Sequence, residues 1–307
     1  MLAGGVGAAR FLSGLVRVVS PADLVVIVNT GDDRDFFGLR VCPDLDTLTY
    51  TLSGVVQRET GWGIEGDTTV CLDAISRFRT DTWFRLGDRD LATHIHRTER
   101  LRQGASLSRV TEEIVAAFGI EARLLPMSDD PTPTRVVRSD GSVCDFEEYL
   151  VRDGAPDDVV EVDLGAARAA EPATGVLEAL EQARAILISP SNPIVSIGTI
   201  RAVPGVEERL RDRRCAVAVS PIIGGAPVKG PADRLLRAQG TEVSALGVAR
   251  LYRDIARGFV LDRVDQELVP QIEALGLTVR AEETLMRSPE IAARLASATL
   301  ELAEGMA

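Results

Sequence analysis

Lysine is all but absent from this sequence. Lys229 stands alone against 33 arginines, and aromatic residues make up only 4% of the 307 positions. The arginine skew reflects base composition of the gene more than chemistry, so no function is rested on it. A basic surplus is missing as well. The formal charge of −12 and a pI near 4.8 argue against nucleic acid or an anionic membrane as partners, because both need a basic face. Any anionic substrate must be held by arginines gathered locally. The four cysteines, Cys42, Cys71, Cys144 and Cys215, form no C-x-x-C pair, which argues against a zinc site or a disulfide framework. No apolar run approaches the roughly 20 residues that span a bilayer, and no charged segment precedes an apolar leader. A soluble, unprocessed protein of the reducing cytoplasm is expected.

What is present is a rhythm. Short apolar runs at Leu24–Val28, Ala185–Ile188, Ala216–Val219 and Phe259–Leu261 alternate with helix-like stretches and mostly end in Asn, Ser, Gly or Asp. That pattern predicts an α/β fold with a Rossmann-like, mainly parallel sheet covered on both faces. Between about Asp67 and Arg123 the period turns helical, with Leu72, Ile75 and Phe78, then Leu91, Ile95 and Leu101, on apolar faces. Ser139-Asp140-Gly141 reads as a hairpin turn. The expected organisation is a nucleotide-binding core from residues 1–66 and 185–307, with a mostly helical accessory insertion at 67–184 beside the acceptor site. Pro231 suits the first position of a helix, and Ser288 the cap of the last one.

The chemistry gathers at the strand ends. Gly4-Gly5-Val6-Gly7 stands close behind Met1, so either the first strand is truncated or the start site is misassigned, and Arg10 follows within one helical turn. A glycine turn there lets backbone N–H groups close on a diphosphate; the alternative is a purely steric βα turn. The dinucleotide spacing G-x-G-x-x-G is absent, which speaks against a nicotinamide enzyme. Asp32 and Asp33 end the second strand as ribose-binding acids or as turn aspartates. Asp44 and Asp46 open a helical run and serve as its cap, or together with Asp33 as ligands for a magnesium ion bridging a diphosphate. Trp62, in a glycine-flanked loop, is a core plug or a stacking surface, and Asp67 is expected to cap the helix after it. In Arg85-Leu86-Gly87-Asp88-Arg89-Asp90, one aspartate caps the next helix. His94 and His96, two apart, face different ways, and neither is expected to hold a metal. Ser189-Pro190-Ser191-Asn192 and Ser220 to Gly225 are proline-fixed turns, able to rim a nucleotide through Ser189, Ser191, Asn192 and Gly224.

Taken together, Ala3 to Gly7, Asn29 to Asp33, Pro43 to Thr47, Trp62 to Thr68, Leu86 to Asp90, Leu125 to Pro131, Ser189 to Pro193 and Ser220 to Gly224 resemble one family across nearly the whole chain. It is the 2-phospho-L-lactate transferases of deazaflavin coenzyme (coenzyme F-420) biosynthesis. The resemblance implies transfer of a phosphoenolpyruvyl or phospholactyl group from a guanosine diphosphate adduct to the ribityl hydroxyl of the deazaflavin precursor Fo, releasing GMP with magnesium. It implies Fo contacts at Asp46 and Arg85, where some relatives carry lysine, with Trp62 bordering the deazaflavin ring. It also implies a homodimer. A non-catalytic nucleotide-sugar regulator of the gluconeogenesis-factor type shares the glycine turn and the aspartates, but is not expected to carry the Trp62 and Leu86 blocks.

Overall fold

Successive side chains of a strand point to opposite faces, yet in Val25-Val26-Ile27-Val28 none is polar. Such a strand has no water side. A computed structural model, which describes residues 1–306, places it inside a seven-stranded sheet. The strands are β1 (Leu2–Ala3), β2 (Val25–Val28), β3 (Arg123–Pro126), β4 (Ile186–Ile188), β5 (Ala216–Val219), β6 (Gly258–Asp262) and β7 (Thr278–Glu282). Every ladder is parallel, and the spatial order is β7-β6-β5-β4-β1-β2-β3. The chain winds outward from β1 in one direction and from β4 in the other. That reversal opens a crevice at the carboxyl ends of β1 and β4, where ligands of doubly wound sheets bind.

Two apolar layers cover the sheet. Ile27, Ile188, Ala218 and Leu261 belong to one, and Val28, Leu187, Val219 and Val260 to the other. The second is roofed by α1 (Gly5–Leu15) and the last helix, α6 (Pro289–Glu304), whose Ser288 cap accepts from the Ile291 amide as expected. Pro231 stands one position earlier than predicted, as the N-cap of the helix Ala232–Ala238.

The segment 67–184 is more mixed than predicted. It begins with three helices, α3 (Val70–Ile75), α4 (Asp90–Arg102) and α5 (Leu107–Ala117). It then returns β3 to the edge of the main sheet, so the core continues through it. Arg123-Leu124-Leu125-Pro126 is short and ends in proline, which an edge tolerates and a sequence pattern under-reports. The expected hairpin is present, Arg135–Arg138 pairing with Val143–Asp145, and Val159–Asp163 adds a third strand. The apolar phase of the helices departs from expectation. Phe78 is 86% exposed and Ile95 is exposed too, while α4 buries Thr93, His94, Arg97 and Thr98. A helix that hides a polar face is packing against other polar groups, and those groups lie in the crevice wall.

Candidate active site

A cavity of about 640 Å³ fills the crevice. One end of it is the turn between β1 and α1. Gly5 has φ of +70°, and a Cβ at Gly7 would lie 2.4 Å from the carbonyl oxygen of Pro190, so the β1 and β4 turns touch only because glycine stands there. Two amides of the turn are already bonded within the protein: Gly4 N–H donates to Ser191 Oγ at 3.1 Å and Gly5 N–H to Asp44 Oδ1 at 2.7 Å. Ser191 also donates to the Gly4 carbonyl, which fastens the two turns together.

The floor is acidic. Asp44 and Asp46 lie in the first turn of α2 (Pro43–Leu52), buried, and Asp32 and Glu147 join them as lining residues. Asn29 donates to both Asp32 and Asp44, at 3.2 and 2.9 Å. Loss of solvent pushes the Asp44 carboxyl up to about 6 and that of Glu147 up to about 8, with Asp44 adding to the latter. Asp32 is driven well above the ordinary range by burial first, then by Asp44 and Glu147. Oδ1 of Asp32 and Oε2 of Glu147 are buried with no hydrogen-bond partner. Acids stripped of water and set against one another in this way are suited to a hard cation, which needs oxygen ligands.

Asp46 has a different partner. The Arg97 guanidinium, 2% exposed, donates to both carboxylate oxygens of Asp46, the Nη1 contact at 3.1 Å. Behind it His94 Nε2 lies 3.2 Å from Asp90 Oδ1, and Tyr50 donates to the same oxygen at 2.6 Å. Atoms of Asp46, Asp90 and His94 fall within 4.8 Å of one another, a spacing that could hold a metal ion and that brings His94 into an acidic group. An ion there would share Asp46 with a guanidinium. The Asp32, Asp44 and Glu147 group is looser, with only the Arg34 charge acting on Glu147, and water or phosphate oxygens would complete a shell.

Part of the lining is aromatic. Phe84 stacks on Phe36 with ring centroids 4.1 Å apart, and Trp83 meets Phe36 edge-on at 5.3 Å. Trp83, Phe84 and the partly exposed Trp62 all line the cavity. Two loops carry these rings and are tied by crossed caps. Asp88 accepts from the Val70 and Cys71 amides at the start of α3, and Asp67 accepts from the Arg89 and Asp90 amides at the start of α4. The expected pairing is thus exchanged, since each aspartate caps the helix next to the other one.

Of the residues picked from sequence, Gly4, Gly5, Gly7, Arg10, Asp44, Asp46, Trp62, Arg85, Ser191 and Asn192 line this one cavity. Ser189, Gly224 and Asp33 are not among its lining residues. Ser189 bonds to the Leu2 carbonyl and to Ser191, and the Gly224 amide is held by the Asp265 carboxylate at 3.0 Å. Asp33, pushed up to about 8 by burial, neighbours Cys42. Sequence reasoning missed Arg97, Glu147, Trp83, Phe84 and Lys229. Only Trp83, the second of two tryptophans, had a signal to find it by. Arg10, Arg85 and Lys229 form no ion pair with a carboxylate among the described residues, although all three line an acidic site.

Known proteins resemble this chain over nearly its whole length. A phosphoenolpyruvate transferase of Streptomyces griseus subsp. griseus is 46% identical over 310 residues, covering 99% of this chain and 98% of the relative. A 2-phospho-L-lactate transferase of Methanosarcina acetivorans is 42% identical, covering 96% of each. A crystal structure of a UPF0052 family member from Bacillus halodurans superposes with a TM-score of 0.64 at 15% identity, covering 97% of both chains, and bears on the fold alone. No helix is long and apolar enough to cross a membrane. With residues 1–285 matching the family described as 2-phospho-L-lactate transferase CofD, the chain belongs to that family of transferases.

Proposed function

We propose that the protein moves a phosphoenolpyruvyl or 2-phospho-L-lactyl group from a guanosine diphosphate adduct to the terminal ribityl hydroxyl of Fo, releasing GMP, in the synthesis of coenzyme F-420. The observation that carries this reading is one cavity lined together by a glycine turn, buried acids and the aromatic rings of Trp62, Trp83 and Phe84. Such a cavity seats a diphosphate, a flat ring and the bond between them. Phosphoenolpyruvyl is the favoured group, because identity to the phosphoenolpyruvate transferases of two Streptomyces species, 46% and 45%, exceeds that to the phospholactate enzymes, 42% and 40%.

The reaction is an in-line displacement. The ribityl oxygen forms a bond to the phosphorus that bears the three-carbon acid, and the bond from that phosphorus to the guanylate oxygen breaks. Positioning and charge neutralisation account for most of the barrier lowering. Asp46 is held rigid by Arg97, which uses two of its roughly four lone-pair sites and leaves the others to receive the hydroxyl. Arg85, with no carboxylate of its own, faces the charged donor. Trp83 and Phe84, beside Trp62, supply the stacking surface for the deazaflavin. Magnesium would be held by Asp32, Asp44 and Glu147 and would neutralise the diphosphate oxygens as charge develops on them. Assembly as a homodimer belongs to the same proposal, and light scattering checks it.

The test is mass spectrometry of the products after incubation with Fo, magnesium and each guanosine donor in turn. Conversion of Fo to its phosphoenolpyruvyl or phospholactyl ester with equimolar GMP is expected. Nucleotide binding without GMP release in the presence of Fo would overturn the proposal and return the regulator reading.

A further inference from the structure

The one lysine of the chain is exposed at the cavity rim, and its ammonium donates to the Thr60 carbonyl at 2.8 Å. Lys229 follows the hairpin Ile222–Ile223 and Ala226–Pro227 that leaves β5, whereas Thr60 belongs to the Trp62 loop. That loop rests on α1, because Gly61 sits against Val6 so closely that a Cβ would lie 2.6 Å from its Cγ1. Arg10 stands one helical turn beyond Val6 on the same helix. Its charge, after partial loss of solvent, holds the Lys229 ammonium below the ordinary lysine value. Arg10 and Lys229 thus line the same cavity, neither paired with a carboxylate, and the ammonium has only a neutral carbonyl as its partner. An arrangement of that kind is unfavourable when empty and favourable around an anion of more than one charge.

We infer that Lys229 and Arg10 form a clamp on the diphosphate of the donor, and that the Thr60 carbonyl is the place-holder the ammonium leaves when the diphosphate enters. The inference rests on the reading of the site as a diphosphate-donor transferase and adds a binding residue to it. No covalent step passes through Lys229. Its ammonium lies beside the guanylate phosphate, where negative charge grows as the bond to the transferred phosphorus breaks. Thr60 and Trp62 share a loop, so the exchange of partners also links donor binding to the ring-binding wall.

Calorimetric titration of the wild-type, K229M and K229R proteins with GDP and with ADP, in magnesium, tests the clamp. K229M is expected to bind GDP about tenfold or more weakly, the size of one charge-assisted hydrogen bond, while K229R stays within about threefold. The melting temperature of K229M should stay at the wild-type value, since the side chain is exposed. Equal GDP affinity in wild type and K229M overturns the clamp and leaves the transferase reading standing. A wild type that binds ADP as tightly as GDP, with the same loss in K229M, keeps the clamp and removes guanosine from the reading. A wild type that binds neither diphosphate overturns both.

Discussion

Replacing Arg97 with methionine keeps the length and volume of the side chain and removes its charge. Asp46 would then remain 5% exposed with only His94 Nδ1, 3.6 Å away, beside it, its two oxygens having been bonded to one guanidinium. Removing one member of a buried pair costs about 3–5 kcal/mol, and because Asp46 borders a solvent-filled cavity the lower end applies, about 3 kcal/mol. For cooperative unfolding of 307 residues that loss lowers the melting temperature by roughly 5 °C. Asp46→Asn alone is also destabilising, since it strands a buried guanidinium whose Nε already lacks a partner. The double variant carries neither charge. Denaturant unfolding of parent, R97M, D46N and R97M/D46N should therefore give a coupling energy of about 2 kcal/mol, the double losing less than the sum. Additivity within about 0.5 kcal/mol would refute the claim that this pair holds Asp46 in place. Turnover separates the two roles of Asp46: D46N should lower it about a hundredfold or more even at temperatures where the variant is fully folded.

Burial raises Asp44, Glu147 and Asp33, so the folded state keeps protons that the unfolded chain releases above its ordinary carboxylate range of about 4. Stability from these groups is complete below that range and is lost as pH climbs through about 6 to about 8, so the ligand-free melting temperature should fall across this window. Glu147→Gln should flatten the slope and millimolar magnesium should shrink it; an unchanged slope in the variant contradicts the assignment. At the β1 turn, Gly7→Ala forces a methyl against the Pro190 carbonyl and should cost roughly 1–3 kcal/mol while weakening GDP far more than Fo. Unaltered GDP affinity in G7A, measured by calorimetry, would dissociate the two turns from the nucleotide.

The sheet was legible because its strands are apolar on both faces and end in glycine, serine or asparagine. Ala216–Val219 was placed to the residue for that reason. β3 and β7 were not, since Arg123-Leu124-Leu125-Pro126 and Thr278–Glu282 sit at the edges, where one side meets solvent and the pattern weakens. The strand-end residues of the site were readable for the same topological reason: a parallel sheet brings its carboxyl ends together wherever the chain has wandered between. Arg97 could not be read. It lies on a helix whose apolar periodicity points at the wrong face, because α4 is held by ion pairs and hydrogen bonds, to which hydropathy is blind. Glu147 reaches the cavity from the cap of the helical turn Glu148–Arg152 that follows the accessory hairpin, and no spacing in the chain relates it to Asp32 or Asp44.

The exchanged aspartates at the starts of α3 and α4 have a consequence for how this protein can vary. Each loop supplies the cap its neighbour requires, so the two ring-bearing loops are coupled through one carboxylate each. Asp67→Ala should speed amide exchange at the start of α4 and Asp88→Ala at the start of α3, each substitution acting on the helix that follows the other loop.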